Sequence, residues 1–143
     1  MHGTPPETVD LWEEVSGGLL VEGYGMTENF NCSHLSLPGN AKVGYVGQPY
    51  PEVECKLSEE GEILVKSPAT MLGYYKMPEE SKECMTEDGF LRTGDRGEID
   101  GQGRLKITGR TKELFKTSKG KYIAPAPIEN IINNHPRVEL SCV

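Results

Sequence analysis

Positive charge, cysteine and long apolar runs are all scarce in this chain, and each shortage removes a class of function. Its 15 Lys and Arg are outnumbered by 22 Asp and Glu, a net charge of -7. Non-specific nucleic-acid binding needs clustered positive charge, so no nucleic-acid partner is expected. The four cysteines, Cys32, Cys55, Cys84 and Cys142, form no C-x-x-C pair, and His2, His34 and His135 are scattered. A zinc site is therefore not expected, and free thiols in a reducing cytoplasm are the simplest account. No stretch approaches the ~18 apolar residues of a membrane span, so no transmembrane segment is expected. Met1 to Glu7 lack a charged-then-apolar order, so no secretion signal is visible there.

Turn chemistry is what the chain has in plenty. Gly (17) and Pro (10) punctuate 143 residues of which 36% are hydrophobic. Such a composition argues for short elements around a small core, in one domain or in parts of two. Thr4-Pro5-Pro6-Glu7 reads as a helix start, with Thr4 as cap and Glu7 completing a capping box. Val9, Trp12 and Val15 continue as one helical stripe, which Gly17-Gly18 stops. Leu19 to Val21 reads as a short buried strand, and Val21 to Asn29, VEGYGMTEN, as a loop, because two glycines weaken any helix or strand.

From Lys42 to Gly109 the texture is β. Val53, Cys55 and Leu57 alternate with charged residues, the period of a half-buried strand. Glu59-Glu60-Gly61 turns the chain so that Glu62 to Lys66 returns as its partner. Pro78 to Cys84 fits one or two helical turns, and Phe90-Leu91 opens another extended segment. Asp100-Gly101-Gln102-Gly103 is a hairpin signal between Glu98-Ile99 and Leu105 to Ile107. The expected fold class is α+β, mainly β, with a small antiparallel sheet or distorted barrel over residues 43–109. Pro125 and Pro127 then precede Ile128, Ile131 and Ile132 at helical spacing. Val138 to Val143 reads as the beginning of a strand, as though a larger fold continued.

Three constellations could carry chemistry. In the first, Gly23 and Gly25 permit close backbone approach, Tyr24 offers a face for stacking, Thr27 a hydroxyl, and Glu28 a hard oxygen suited to Mg²⁺. An ordinary turn with a Thr-Glu cap explains the same residues. In the second, Asp95 of Leu91-Arg92-Thr93-Gly94-Asp95 could accept hydrogen bonds from a ribose diol; a turn aspartate is the alternative. In the third, Arg110 of Thr108-Gly109-Arg110-Thr111-Lys112-Glu113 could bind a ribose or phosphate oxygen through its fork, or the segment could be a charged linker. Nine of the 15 Lys and Arg residues lie between Arg92 and Lys121. They form either a solvated face or a site for an anion.

In order and spacing, Tyr24-Gly25-Met26-Thr27-Glu28, Arg92-Thr93-Gly94-Asp95 and Gly109-Arg110-Thr111-Lys112 resemble the adenylate-forming family. That family includes acyl-CoA synthetases, luciferases and the adenylation domains of peptide synthetases. Val46-Gly47-Gln48-Pro49, Gly61-Glu62-Ile63, Gly73-Tyr74-Tyr75 and Gly89-Phe90 match too, so the resemblance covers nearly the whole chain. Lys116 to Pro125 looks most like the long-chain fatty acyl-CoA synthetase branch. The resemblance implies a parent enzyme that joins a carboxylate to ATP and then passes the acyl group to coenzyme A. A fatty acid, ATP with Mg²⁺, and coenzyme A would be its small-molecule partners.

By the same resemblance, Tyr24 would contact adenine with Gly25 beside it. Thr27 would sit near the phosphates, and Glu28 would hold Mg²⁺. Asp95 would bind both ribose hydroxyls, with Arg110 assisting. Lys112 would be the hinge, where many relatives carry aspartate. The loop from Lys116 to Lys121, with Lys119 and Gly120, would line the thiol tunnel. Residues 1–42 would close a large adenylation domain, 43–109 form the β-barrel subdomain, and 110–143 open the lid domain. The family's Ser/Thr/Gly-rich phosphate loop does not appear, and its late catalytic lysine would lie beyond Val143. The chain is thus expected to be a central piece of a synthetase, inactive alone, from a cytoplasmic parent with possible peripheral membrane contact. Two other readings stay open: a stand-alone β-barrel module that binds an anion or nucleotide, and an adenylating enzyme with a carrier-protein or oxidative acceptor.

Overall fold

A computed structural model describes residues 20–111 without a break, together with residues 8, 11, 13–15, 17–18, 115–116, 122–123, 125–133, 135, 137 and 138. Two antiparallel sheets hold most of the described strand residues. The first joins β1 (Gly23–Tyr24), β2 (His34–Leu35) and β3 (Gln48–Pro49) in that order, with Tyr24 opposite His34 and His34 opposite Pro49. The second joins β4 (Glu54–Leu57), β5 (Glu62–Lys66), β6 (Leu91–Ile99) and β7 (Leu105–Arg110), also in chain order. A short ribbon pairs β8 (Phe115–Lys116) with β9 (Tyr122–Ile123). The helices are α1 (Pro78–Glu83) and α2 (Pro125–Asn133), and a 3-10 turn spans Thr27–Asn29.

The mainly β architecture follows the expected pattern. Among the described residues, however, the second sheet stays open and does not close into a barrel. A bridge fastens the two sheets at one corner. Leu105 N–H donates to the Gly47 carbonyl at 2.8 Å, and Val46 N–H donates to the Leu105 carbonyl at 2.8 Å. The seam is apolar: Tyr24 and Val46 from the first region pack with Ile63, Val65 and Leu105 from the second. Val53, Cys55 and Leu57, the alternating positions of the sequence pattern, are packed against this cluster. Burial there pushes the Cys55 thiol up to about 11. The described cysteines, Cys32, Cys55 and Cys84, are free.

Three expectations are revised. Leu20 and Val21 lie outside any strand and Val21 is exposed; pairing begins at Gly23, inside the stretch read as a loop. The extended segment opening at Leu91 runs nine residues, well past the point where apolar residues stop. Its buried positions are Leu91, Thr93, Asp95 and Gly97, so the inward face is largely polar and small. A strand with that face has no apolar alternation to betray it. Asp95 is therefore a mid-strand residue and not a turn aspartate. The helix at residues 78–83 lies within the stretch expected to make one or two turns, and that at 125–133 lies where proline in the first turn placed it. Residues 8, 11 and 13–15 are helical, as expected, whereas Trp12 falls outside the described residues. Of the strand expected over 138–143, Val138 is described and lies in no strand; positions 139–143 fall outside the described residues. Among the described residues no helix is long and apolar enough to cross a membrane.

Candidate functional site

Register brings two of the sequence constellations together. On the β6–β7 pair, Asp95 faces Arg110, and Arg110 Nε lies 3.2 Å from Asp95 Oδ1. Thr111 locks this end of the ladder. Both its N–H, at 2.8 Å, and its hydroxyl, at 3.0 Å, donate to the Gly94 carbonyl. On the other side of β6, Glu62 accepts from Gly94 N–H and from Arg92 Nη1, each at 3.1 Å. Thr93 donates to the Ile63 carbonyl at 2.8 Å and accepts from Asp95 N–H at 3.1 Å. The residues just before Asp95 are thus tied to β5 and to Thr111 just past β7.

The third arm reaches Asp95 from the first sheet. Tyr24 on β1 donates its hydroxyl to Asp95 Oδ2 at 2.8 Å. Tyr24 is only 3% exposed, most of its ring sunk in the apolar seam. Burial, with the Asp95 carboxylate beside it, holds the phenol far above its ordinary pKa, so it stays a donor. Behind it lies His34, 1% exposed, its ring centroid 6.0 Å away and tilted by 50°. His34 Nδ1 shares a 2.8 Å hydrogen bond with Ser33 Oγ, and burial lowers its pKa to about 4. Asp95 is 5% exposed, and Oδ1 makes no hydrogen bond because Arg110 approaches outside hydrogen-bonding geometry. That buried oxygen is compensated by the Arg110 guanidinium charge beside it.

The 3-10 turn carries the second carboxylate. Asn29 and Asn31 N–H both donate to the Met26 carbonyl, at 3.1 and 2.9 Å, while Asn29 Oδ1 accepts from Met26 N–H at 2.9 Å. Gly25 is needed here because a Cβ would collide with the Asn31 backbone. Its bareness serves the chain's own crossing. Glu28 Oε1 accepts the Tyr74 hydroxyl at 2.7 Å. That bond, more than burial, pushes the Tyr74 phenol up to about 12.

Tyr24, Gly25, Thr27, Glu28, Asp95 and Arg110 all border one open cleft of about 730 Å³. Every described site residue expected from the sequence is there. Lys112, Lys119 and Gly120 lie outside the described residues. Sequence reasoning assigned no role to Tyr74, Glu62 or Thr111, although all three stood in quoted phrases. A hydroxyl's partner 46 positions away leaves no local trace. Within the basic stretch, Arg104 and Lys106 share the face of the Tyr45 ring. Arg104 also holds Asp100 through two nitrogens, at 2.9 and 2.7 Å.

Among the described residues no group of three or more His, Cys, Asp or Glu could cage a metal. Mg²⁺ is ordinarily held by one or two carboxylates plus substrate phosphates and waters. Glu28, with one oxygen committed to Tyr74, fits that smaller demand.

The model of the AMP-binding enzyme family matches residues 2–75. The chain is 38% identical to the malonate–CoA ligase of Arabidopsis thaliana, over 97% of this chain and 24% of that protein. It is 43% identical to long-chain-fatty-acid–CoA ligase 1 of Cavia porcellus, over 80% of this chain and 18% of that protein. The ATP-bound crystal structure of MatB from Rhodopseudomonas palustris superposes with a TM-score of 0.84 at 36% identity, covering 96% of this chain and 29% of that one. The chain thus spans about a quarter or less of the curated relatives' length.

Proposed function

The chain belongs to the AMP-binding enzyme family, and from that membership we propose that it supplies the nucleoside-reading wall and the metal carboxylate of an ATP-dependent acyl-CoA ligase. Asp95 accepts from the ribose hydroxyls through the carboxylate whose Oδ1 pairs with Arg110. Arg110 flanks the same oxygen and reaches toward the ribose and phosphate. Thr27 lies beside the phosphates. Tyr24 meets the base with its small uncovered part and aims Asp95 with its hydroxyl. Glu28 would hold Mg²⁺, which when bound neutralises phosphate charge. The chain's own share of the chemistry is orientation and fixed charge, the main currency of phosphoryl-centred reactions. The observation that carries this reading is the convergence of Glu28, Asp95 and Arg110 on one cleft.

For the whole ligase, the proposed acyl substrate is a long-chain fatty acid and the acceptor coenzyme A. Lys112 would act as hinge, with Lys119 and Gly120 lining the thiol path. The Lys116–Pro125 phrase and the guinea-pig relative favour this branch. A malonate-sized substrate is the second reading, favoured by the Arabidopsis relative that aligns with 97% of the chain. A chain-length series on the full-length ligase separates the two.

The 143 residues hold no Ser/Thr/Gly-rich phosphate loop, so alone they are expected to bind nucleotide weakly and release no pyrophosphate from ATP and a fatty acid. Titration with millimolar AMP, followed by amide chemical shifts, is the direct test. Shifts are expected at Asp95, Arg110 and Thr27, and Asp95→Asn is expected to weaken binding about 10- to 100-fold, the worth of a charged hydrogen bond. Shifts confined to other surfaces, or an unchanged affinity in the variant, would refute the proposal.

A further inference from the structure

We infer that Tyr74 is a positioning residue for Glu28: its hydroxyl fixes one carboxylate oxygen so that the other is presented to a divalent cation. The inference rests on the reading of Glu28 as the magnesium carboxylate. The Tyr74 hydroxyl donates to Glu28 Oε1 at 2.7 Å. The segment bearing Tyr74 is also tied to the Glu28 main chain, Met71 N–H donating to the Glu28 carbonyl at 2.8 Å. Its far side is anchored on α1, where Tyr74 N–H donates to Ser81 Oγ at 2.7 Å and that hydroxyl donates to the Met77 carbonyl at 2.6 Å. Gly73, at φ +145, permits this approach, since a Cβ there would meet Ser81 Oγ at 2.9 Å. The phenol therefore reaches Glu28 from a backbone held at both ends.

A glutamate side chain loses rotamer freedom when a ligand orders it, and that loss subtracts from affinity. A carboxylate already held at Oε1 has little left to lose. Mg²⁺ demands near-octahedral geometry and sheds water reluctantly. A pre-aimed single oxygen suits such an ion better than a free-swinging pair. Hydrogen bonds to ligating carboxylates tune metal affinity in the same manner elsewhere.

The test uses the whole 143-residue chain, with ATP and Mg²⁺ in one titration and metal-free AMP in another, both read by amide shifts. Tyr74→Phe is expected to raise the Mg²⁺ concentration for half-maximal ATP binding about tenfold while leaving metal-free AMP binding as it was. Glu28→Gln is expected to give the same split. Adding Tyr74→Phe to Glu28→Gln is expected to cause no further shift, because the phenol then has no carboxylate to aim. Ser81→Ala, which loosens the Tyr74 backbone without touching its hydroxyl, moves the magnesium requirement the same way by a smaller factor. A magnesium requirement unmoved by Tyr74→Phe overturns the inference while Asp95-dependent AMP binding leaves the nucleoside site standing. Equal weakening of ATP and AMP overturns it as well, since that is what a merely structural tyrosine would produce. Failure of the unsubstituted chain to show AMP shifts at Asp95 and Arg110 overturns the nucleoside reading, and the inference with it.

Discussion

Asp95 and Glu28 border the same cleft, and each is held by a tyrosine hydroxyl, yet they stand on opposite kinds of support. Asp95 projects from the middle of a nine-residue strand paired on both sides, and its partner Tyr24 is 3% exposed. Glu28 sits in a three-residue turn, and its partner Tyr74 is 38% exposed on a loop. The hydrogen bonds are nearly equal in length, 2.8 and 2.7 Å. What differs is the medium around them. A buried donor–acceptor pair left half-made costs its full desolvation, whereas an exposed one is taken over by water. The strand wall therefore couples site geometry to folding, and the turn wall does not. A rigid carboxylate suits recognition of a sugar of fixed shape. A carboxylate on a turn suits an ion that arrives with mobile phosphates.

The largest consequence falls on the strand wall through His34, which lies behind Tyr24. Burial keeps His34 neutral, lowering its pKa from 6.5 to about 4. The unfolded chain takes up this proton first as pH falls, so stability is intact above about 6.5 and declines toward pH 4. A difference of that size is worth about 3 kcal/mol. Urea unfolding across this range measures it. His34→Asn, which keeps an amide atom for Ser33 but does not titrate, is expected to flatten the profile; an equally steep profile in that variant would break the contrast.

Next comes the tyrosine itself. Tyr24→Phe strands a buried carboxylate oxygen and is expected to cost about 1–3 kcal/mol of stability. Tyr74→Phe, at the exposed bond, is expected to cost no more than about 0.5 kcal/mol. Equal losses in the two variants would show that the walls do not differ. The smallest effect is expected for Glu28→Gln, within about 0.5 kcal/mol of the unsubstituted chain. A large loss there would mean that Glu28 is structural and would move the turn wall into the folding core.

Much of the local structure could be read before any fold was known. Val53, Cys55 and Leu57 announced their strand by alternation, Asp100 to Gly103 their hairpin, and Pro125 the start of α2. These signals survive in the sequence because each rests on steric or burial preferences within a few positions. The length of β6 was hidden because its inward side chains are Thr93 and Asp95, and polar inward residues imitate a loop. Tyr24 read as an open stacking ring because nothing local reveals that Ile63, Val65 and Leu105 surround it.

The order of the constellations Tyr24–Glu28, Arg92–Asp95 and Gly109–Thr111 was enough to point to a nucleotide. Their convergence was a matter of pairing. Register across β6 and β7 sets Asp95 opposite Arg110, the Gly47–Leu105 corner swings Tyr24 beneath them, and the Met71–Glu28 bond draws Tyr74 to the turn. Contacts between residues dozens of positions apart depend on which backbone groups find each other once the core closes. No short-range preference encodes that choice.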